Sequence, residues 1–249
     1  SKGVDTVSND SELLHDIAKG VQGPIDAALA ELSTFGTVAR TLLAIAEQSG
    51  RRPGRADLAK IREHLQTQLR GPDSATAGIG IAVGVDYLHD SPYWLEWWRF
   101  GRRGELEFVA HSLNPNRDAF YDYSSRPWFS APAASGRTTI TGPYVDIGGT
   151  NTYTVTLSLP LLTEAGFAGV ASADIPAAAF EPFLIRPGRL RPVVLTNAAL
   201  RVIASSSSDY LPGSLLSSAL VEPWTVLSVA GRGLHGQAPW LLMLPIEKR

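Results

Sequence analysis

The 249-residue chain contains no cysteine. That excludes disulfides, thiolate nucleophiles and Cys-based zinc sites in one step, and it is compatible with an oxidising compartment. No uninterrupted apolar run approaches the roughly 18 residues of a membrane-spanning helix, and the N-terminus carries no signal-peptide pattern. Ser1–Gly3 reads as a cloning remnant, and the chain as a segment of a larger protein. Charge of neither sign dominates: 22 basic residues meet 24 acidic ones, for a net charge of -2. Basic runs are no longer than two or three residues, so nothing points to a nucleic-acid partner or to an anionic membrane surface.

Catalytic signatures are equally sparse. The five histidines, His15, His64, His89, His111 and His235, show no HxH, HExxH or other close ligand spacing, so no metal is expected. No GxSxG elbow, GxxxxGK[ST] loop or strand-following GxGxxG occurs, so no nucleotide or other cofactor is expected either. His89, Asp90 and Ser91 are adjacent, and adjacent residues cannot face one another as a triad requires. A hydrolase using Asp146 or Glu96 as acid or base would lack a second catalytic group at a persuasive spacing. The chain therefore does not read as an enzyme.

What is present is an ordinary globular composition, 44% hydrophobic and 18% charged, long enough for one large domain or two small ones. Apolar residues at three- and four-residue steps from Leu13 to Ile45 predict a helix over about 10–49, capped by Asn9 or Asp10 and kinked or briefly broken at Gly20, Gly23 and Pro24. After the turn at 51–55, a second helix is expected over 56–69, ending at Gly71-Pro72. From Ala77 period two replaces period 3.6. GIGIAVGVD, YWLEWWRFG and ELEFVAHS predict three strands of an antiparallel meander. A short helix is expected near Pro127–Ala134, between a proline start and a glycine end. TTITGPYVD, YTVTLSLPLL and GFAGVASADI predict further strands, with a helix over Pro176–Leu184. The run Arg186–Pro192 reads as a linker. Beyond it, VVLTN, ALRVIAS, a helix at 212–219, WTVLSVA and PWLLMLP form a smaller unit of the same general order. The expected class is α+β: a helical region at 1–74, a first module at 75–185 and a second, smaller one at 186–249.

Within 121–174 lie the residues of most chemical interest. Arg126 offers a rigid fork of donors that fits a carboxylate and stays charged at physiological pH, or it is a solvated loop arginine. Trp128 either donates its indole N–H to the same carboxylate or anchors the short helix. Asp174 ends an apolar strand, where its carboxylate meets a ligand ammonium or caps the following helix. Tyr121, Tyr144 and Phe129 supply rings that can surround an amine, or simply pack. Asp146 serves the same pocket or initiates the Asp-x-Gly-Gly turn. In YWLEWW, alternation puts Trp94, Glu96 and Trp98 on one face and Tyr93, Leu95 and Trp97 on the other. Glu96 and Trp98 are candidate pocket residues, with a Glu96 ion pair to Arg99 or Arg102 as the alternative.

The order Tyr121, Arg126, Trp128, Phe129, Tyr144, Asp174 resembles the amino-acid-recognition motif of double Cache sensor domains, and the resemblance covers nearly the whole chain. It implies a long N-terminal helix followed by two PAS-like modules with antiparallel sheets, the first being membrane-distal and ligand-binding. Arg126 and Trp128 would hold the ligand carboxylate, and Tyr121, Tyr144 and Asp174 its amine. Phe129 stands where the pattern allows tyrosine or phenylalanine. The implied function is extracytoplasmic sensing of a small amino acid for a chemoreceptor, histidine kinase or related signalling protein. The membrane would be reached only through flanking segments, and a homodimer through the N-terminal helix is possible in that architecture. Three rivals stand beside it: a Cache sensor for acetate, pyruvate or lactate, which needs Arg126 but has no amine for Asp174; the sensing module of a cytoplasmic regulator; and a pure interaction module.

Overall fold

The computed structural model describes residues 2–68, 76–100, 105–146, 152–185, 191–216, 223–229, 234 and 240–246. Helix α1 (Lys2–Gln48) is 47 residues long and is followed by α2 (Arg55–Gln68). The first sheet has six strands: β1 (Gly78–Val83), β2 (Leu95–Phe100), β3 (Leu106–Phe108), β4 (Thr139–Val145), β5 (Tyr153–Thr163) and β6 (Gly166–Pro176). They lie in the antiparallel order β3-β2-β1-β6-β5-β4, two meanders joined where β1 pairs with β6. Helix α3 (Pro127–Ser135) sits between β3 and β4. A 3-10 turn at Ala177–Phe180 runs into the short α4 (Glu181–Leu184). The second sheet, ordered β8-β7-β10-β9, comprises β7 (Val194–Thr196), β8 (Val202–Ser205), β9 (Trp224–Val229) and β10 (Trp240–Pro245).

One core connects these parts. The apolar stripe Leu14, Ile17, Val21, Ile25, Leu32, Phe35 and Leu43 of α1 is fully buried against strand residues of both sheets, including Ile79, Val155, Leu157, Leu242 and Leu244. By length and composition α1 would also suffice to cross a membrane, because its best 18-residue window has a mean hydropathy of 1.3. That window is amphipathic and interrupted by polar residues, so it escapes a search for unbroken apolar runs. Two glycines of α1 permit close approach: a Cβ on Gly20 would lie 2.6 Å from Phe183 Cδ1, and one on Gly36 2.5 Å from Leu159 Cδ2. Tight packing at these two points offsets the helix propensity that glycine forfeits, about 1 kcal/mol each.

Three expectations are corrected. The helix is not broken at Gly20, Gly23 or Pro24, because the stripe on either side is held by the sheets and that packing outweighs the lost backbone bond. Neither Asn9 nor Asp10 caps it, since the helix begins before them. Asp10 instead receives Nη1 and Nη2 of Arg191 at 2.9 and 2.5 Å, and Arg191 also donates to the Pro245 carbonyl at 3.0 Å. Over 212–216 there is a turn and an isolated bridge from Leu215 to Arg201, not a helix. The helix end at Gly71-Pro72, the linker residues 186–190, Arg102, the Gly148-Gly149 turn and His235 lie outside the described residues.

Alternation in β2 runs as expected, but its two faces have separate tasks. Glu96, fully buried, receives Arg62 Nε of α2 at 2.6 Å and the Trp98 indole N–H at 3.2 Å, while Arg99 pairs with Glu107. Glu96 and Trp98 thus belong to the helix face, and this corrects their candidacy for the pocket. Arg62 is 43% exposed, so Arg62→Ala should cost about 2 kcal/mol, less than the 3–5 kcal/mol of breaking a fully buried pair. Arg62→Leu with Glu96→Leu together should recover most of it in urea unfolding. Equal losses in the single and double variants would contradict this account.

Candidate functional site

The opposite face of the six-stranded sheet is built from small residues at its centre. Gly78, Gly80 and Ala82 of β1 stand beside Asp174, Ser172 and Val170 of β6, which pair in turn with Thr156, Ser158 and Pro160 of β5. This thin floor leaves room above it. The Trp97 side chain of β2 lies across β1, where a Cβ on Gly80 would come within 2.6 Å of Trp97 Cε3 and 2.1 Å of the Glu96 carbonyl. Over the floor sits an aromatic layer of Trp97, Tyr123, Trp128 and Phe129. Tyr123 fixes it in place: its hydroxyl donates to the Val83 carbonyl at 2.7 Å and accepts the Trp94 N–H at 3.0 Å. The loop that carries Tyr121 and Arg126 is thereby pinned where β1 ends and β2 begins.

Two cavities share the resulting walls. An inner cleft of about 20 Å³ is lined by Leu95, Trp97, His111, Tyr121, Trp128, Tyr144, Asp146, Thr156 and Asp174. That is room for one group the size of a water or an ammonium. An outer cavity of about 320 Å³ is lined by Tyr121, Arg126, Pro127, Trp128, Tyr144, Val145 and Asp146. Asp174 therefore lies at the floor and Arg126 at the mouth, with Tyr121, Trp128, Tyr144 and Asp146 common to both. The Arg126 guanidinium rests over the Tyr121 ring at 5.4 Å and starts α3 at its N-cap, with no side-chain capping bond.

Asp174 is 3% exposed. Thr156 Oγ1 donates to its Oδ1 at 2.6 Å, and the Tyr144 hydroxyl is hydrogen-bonded to the same Thr156 oxygen. Burial, reinforced by the nearby Asp146 charge and opposed by the Thr156 bond, pushes the Asp174 pKa up to about 8. Burial likewise raises Tyr144 and Tyr121 above the ordinary phenol value. Burial lowers His111, against the opposing pull of its Val109 bond and of Asp146.

Of the residues singled out in the sequence, Tyr121, Arg126, Trp128, Tyr144, Asp146 and Asp174 converge on the cavities. Asp174 is not a helix cap, since its carboxylate turns into the sheet face. Phe129 belongs to neither wall: it is buried behind Trp128, edge-on to Tyr123 and Phe167 at 5.3 and 5.7 Å. Consecutive residues of α3 point about 100° apart, so Trp128 and Phe129 cannot both face the cavity. Reading single residues missed His111, Thr156, Leu95 and Trp97. Leu95 and Trp97 were legible as the face opposite Glu96, and Thr156 only through its pairing with Asp174. Among the described residues no cluster of three or more His, Asp or Glu is placed to hold a metal.

No curated protein matches the chain in sequence. Residues 107–181 match the family model described as methyl-accepting chemotaxis protein-like, first PDC sensor domain. Among solved structures, the chain is similar to a methyl-accepting chemotaxis protein X at 16% identity, with 99% of each chain covered and a TM-score of 0.68. It is also similar to the ligand-binding domain of the Pseudomonas aeruginosa amino-acid chemoreceptor PctC in complex with GABA, at 19% identity, with 97% of this chain and 100% of that one covered and a TM-score of 0.61. A third is the ligand-binding domain of the Pseudomonas fluorescens chemoreceptor CtaA in complex with L-valine, at 14% identity, with 98% and 99% covered and a TM-score of 0.63. The fold is that of these sensor domains, and the resemblance to the double Cache arrangement read from the motif is borne out.

Because the folded-state pKa of Asp174 lies above the unfolded one, folding takes up a proton between 3.8 and about 8. This group therefore weakens the ligand-free fold as pH rises through that window. Asp174→Asn keeps the acceptor for Thr156 without the charge. Thermal melts should show Tm raised by several degrees at pH 8 and little changed near pH 4; a shift of equal size at both would mean the charge is not its cause.

Proposed function

We propose that the chain is the ligand-binding part of a signalling receptor, lying outside the cytoplasm, and that the cavities of its first sheet hold a free amino acid. The observation that carries this reading is the placement of a buried acid at the floor of an ammonium-sized cleft, with a fixed cation at the mouth of the larger cavity above it. A ligand ammonium in the inner cleft would meet Asp174 and the oxygens of Thr156 and Tyr144. Its carboxylate would reach Arg126, which can engage both oxygens, and the Trp128 indole N–H, which in the empty site is turned to the Tyr121 hydroxyl. Solved relatives in complex with GABA and L-valine support the assignment to this ligand class.

The reading is one of binding and not of turnover. Bringing an ammonium against Asp174 replaces the proton held by the empty site, so binding releases up to one proton at neutral pH. A ligand shifts the protein between states only by its differential affinity for them. Here the floor strand β6 and β5 pack directly on α1, so a change at the floor reaches the helix without an intermediary. Assembly of two copies through α1 belongs to the same proposal and is read out by the mass of the particle in solution with and without ligand.

One observation favours a second reading. A protonated Asp174 is a hydrogen-bond donor at the floor, and together with Arg126 at the mouth it would suit a simple carboxylate such as acetate or lactate. A thermal-shift screen of amino acids, amines and short carboxylates separates the two. A ligand at one hundred times its Kd should stabilise the protein by about 2.7 kcal/mol. The amino-acid reading expects stabilisation by amino acids that is lost in Arg126→Ala and in Asp174→Ala. Stabilisation by carboxylates alone, retained in Asp174→Asn, selects the second reading.

A further inference from the structure

We propose that Thr156 is a positioning residue of the amine subsite: by relaying hydrogen bonds in one direction, from Tyr144 to Asp174, it turns two acceptors toward the inner cleft and makes the site select an ammonium that still carries N–H groups. The proposal rests on the amino-acid reading of the same site. It concerns the ligand's amine alone and leaves its side chain free to occupy the outer cavity.

Three strands bring the relay together. Thr156 of β5 stands opposite Asp174 of β6 on one side and Thr141 of β4 on the other. A bulge between Thr141 and Tyr144 sets Tyr144 opposite Thr154, two residues before Thr156 on the same face. The Tyr144 hydroxyl nevertheless passes over the threonine opposite it. It is bonded to Thr156 Oγ1, whereas Thr154 Oγ1 is buried without a hydrogen-bond partner among the described residues. Thr156 is itself 1% exposed and reaches Asp174 Oδ1 at 2.6 Å.

The direction of the bonds follows from counting protons. A threonine hydroxyl has one proton to donate and lone pairs to accept with. Against an ammonium Asp174 is ionised and can only accept, so the Thr156 proton goes to Asp174. The proton between Thr156 and Tyr144 is then the phenol's. Tyr144 is left with lone pairs alone, and because it lines the inner cleft together with Asp174, two acceptors meet there: Tyr144 Oη and Asp174 Oδ2. The cleft, at about 20 Å³, has room for one group the size of an ammonium and none for three added methyl groups. The ring faces of Trp97, Tyr121 and Trp128 attract any cation, methylated or not. The relay is what demands N–H donors. An alcohol in the ammonium's place has no charge and a single proton, so it serves only one of the two acceptors.

Isothermal titration of the purified chain with L-alanine, L-lactate and N,N,N-trimethyl-L-alanine tests this. Lactate puts a hydroxyl where alanine has its ammonium, and the trimethyl compound keeps the charge but loses every N–H. The expected result is alanine at least about tenfold tighter than either. Thr156→Val keeps the side-chain shape without the hydroxyl and should bring the alanine-to-lactate ratio toward one, while Thr156→Ser should keep most of it. Thr154→Val removes an equally buried hydroxyl from the same face and should leave the ratio unchanged. A merely structural role for Thr156 would weaken alanine and lactate together and leave their ratio unmoved, and that outcome overturns the proposal. So does an equal fall of the ratio in Thr154→Val, or a trimethyl compound that binds as tightly as alanine; the latter comparison needs no variant to fold. If alanine binding depends on Arg126 and Asp174 but its ratio to lactate ignores Thr156, the amino-acid reading survives without the relay. If lactate binds and alanine does not, both fall. Failure of all three to bind also overturns the proposal, and the amino-acid reading then stands only if another amino acid binds in a manner dependent on Arg126 and Asp174.

Discussion

Burial of both faces of the six-stranded sheet constrains everything else in the molecule. One face must meet a long helix and is built from Ile79, Ile81, Val155, Leu157 and Ile175, side chains that fill the space between helix and strands. The other must sit under a layer of large aromatic rings and still leave a cavity, and its centre is correspondingly small: Gly78, Gly80, Ser172, Thr156 and Asp174. Because strand side chains alternate, each strand serves both needs with successive residues. In β2 the same rule sends Glu96 to a helix arginine and Trp97 across the glycines of β1.

A polar residue placed at the middle of such a floor acquires unusual properties without any special chemistry. Asp174 is an ordinary strand residue in a run of alanines and a serine. Its neighbours on the cavity face donate one hydrogen bond and contribute a second carboxylate nearby, so the empty site holds it in the protonated form. Among the described residues no basic side chain forms an ion pair with it. The aromatic rings above, fixed by the two hydrogen bonds of the Tyr123 hydroxyl, roof the same space.

Much of this was legible from the chain alone, because periodicity changes sharply at Ala77 and the strands of both sheets are bounded by turn residues. The meander β1 to β3, the α3 boundaries and the paired strands β5 and β6 follow from local pattern. What local pattern could not supply was partnership across the fold. Glu96 looked like a pocket acid because Arg62, 34 residues earlier, could not be placed opposite it. Phe129 looked like a pocket residue because it stands in the motif beside Trp128, and only Trp128 lines the cavities. The unbroken course of α1 past Pro24 depends on side chains more than a hundred residues away. His111 gave no signal in sequence, since its meaning lies in a carbonyl two residues back and a ring ten residues on.

Helix α1 runs unbroken past both sheets, and it is gripped at separate heights by Leu159 at Gly36, by Phe183 at Gly20 and by Arg191 at Asp10. From Asp10 to Glu47 it is a rod about 55 Å long. A pivot near its C-terminal end, where Glu47 accepts hydrogen bonds from Tyr87 and Thr163, would turn a tilt of about 2° into about 2 Å of travel at Asp10. Movements too small to notice in the floor of the cavity would thus become, at the far end of this lever, comparable to the length of a hydrogen bond.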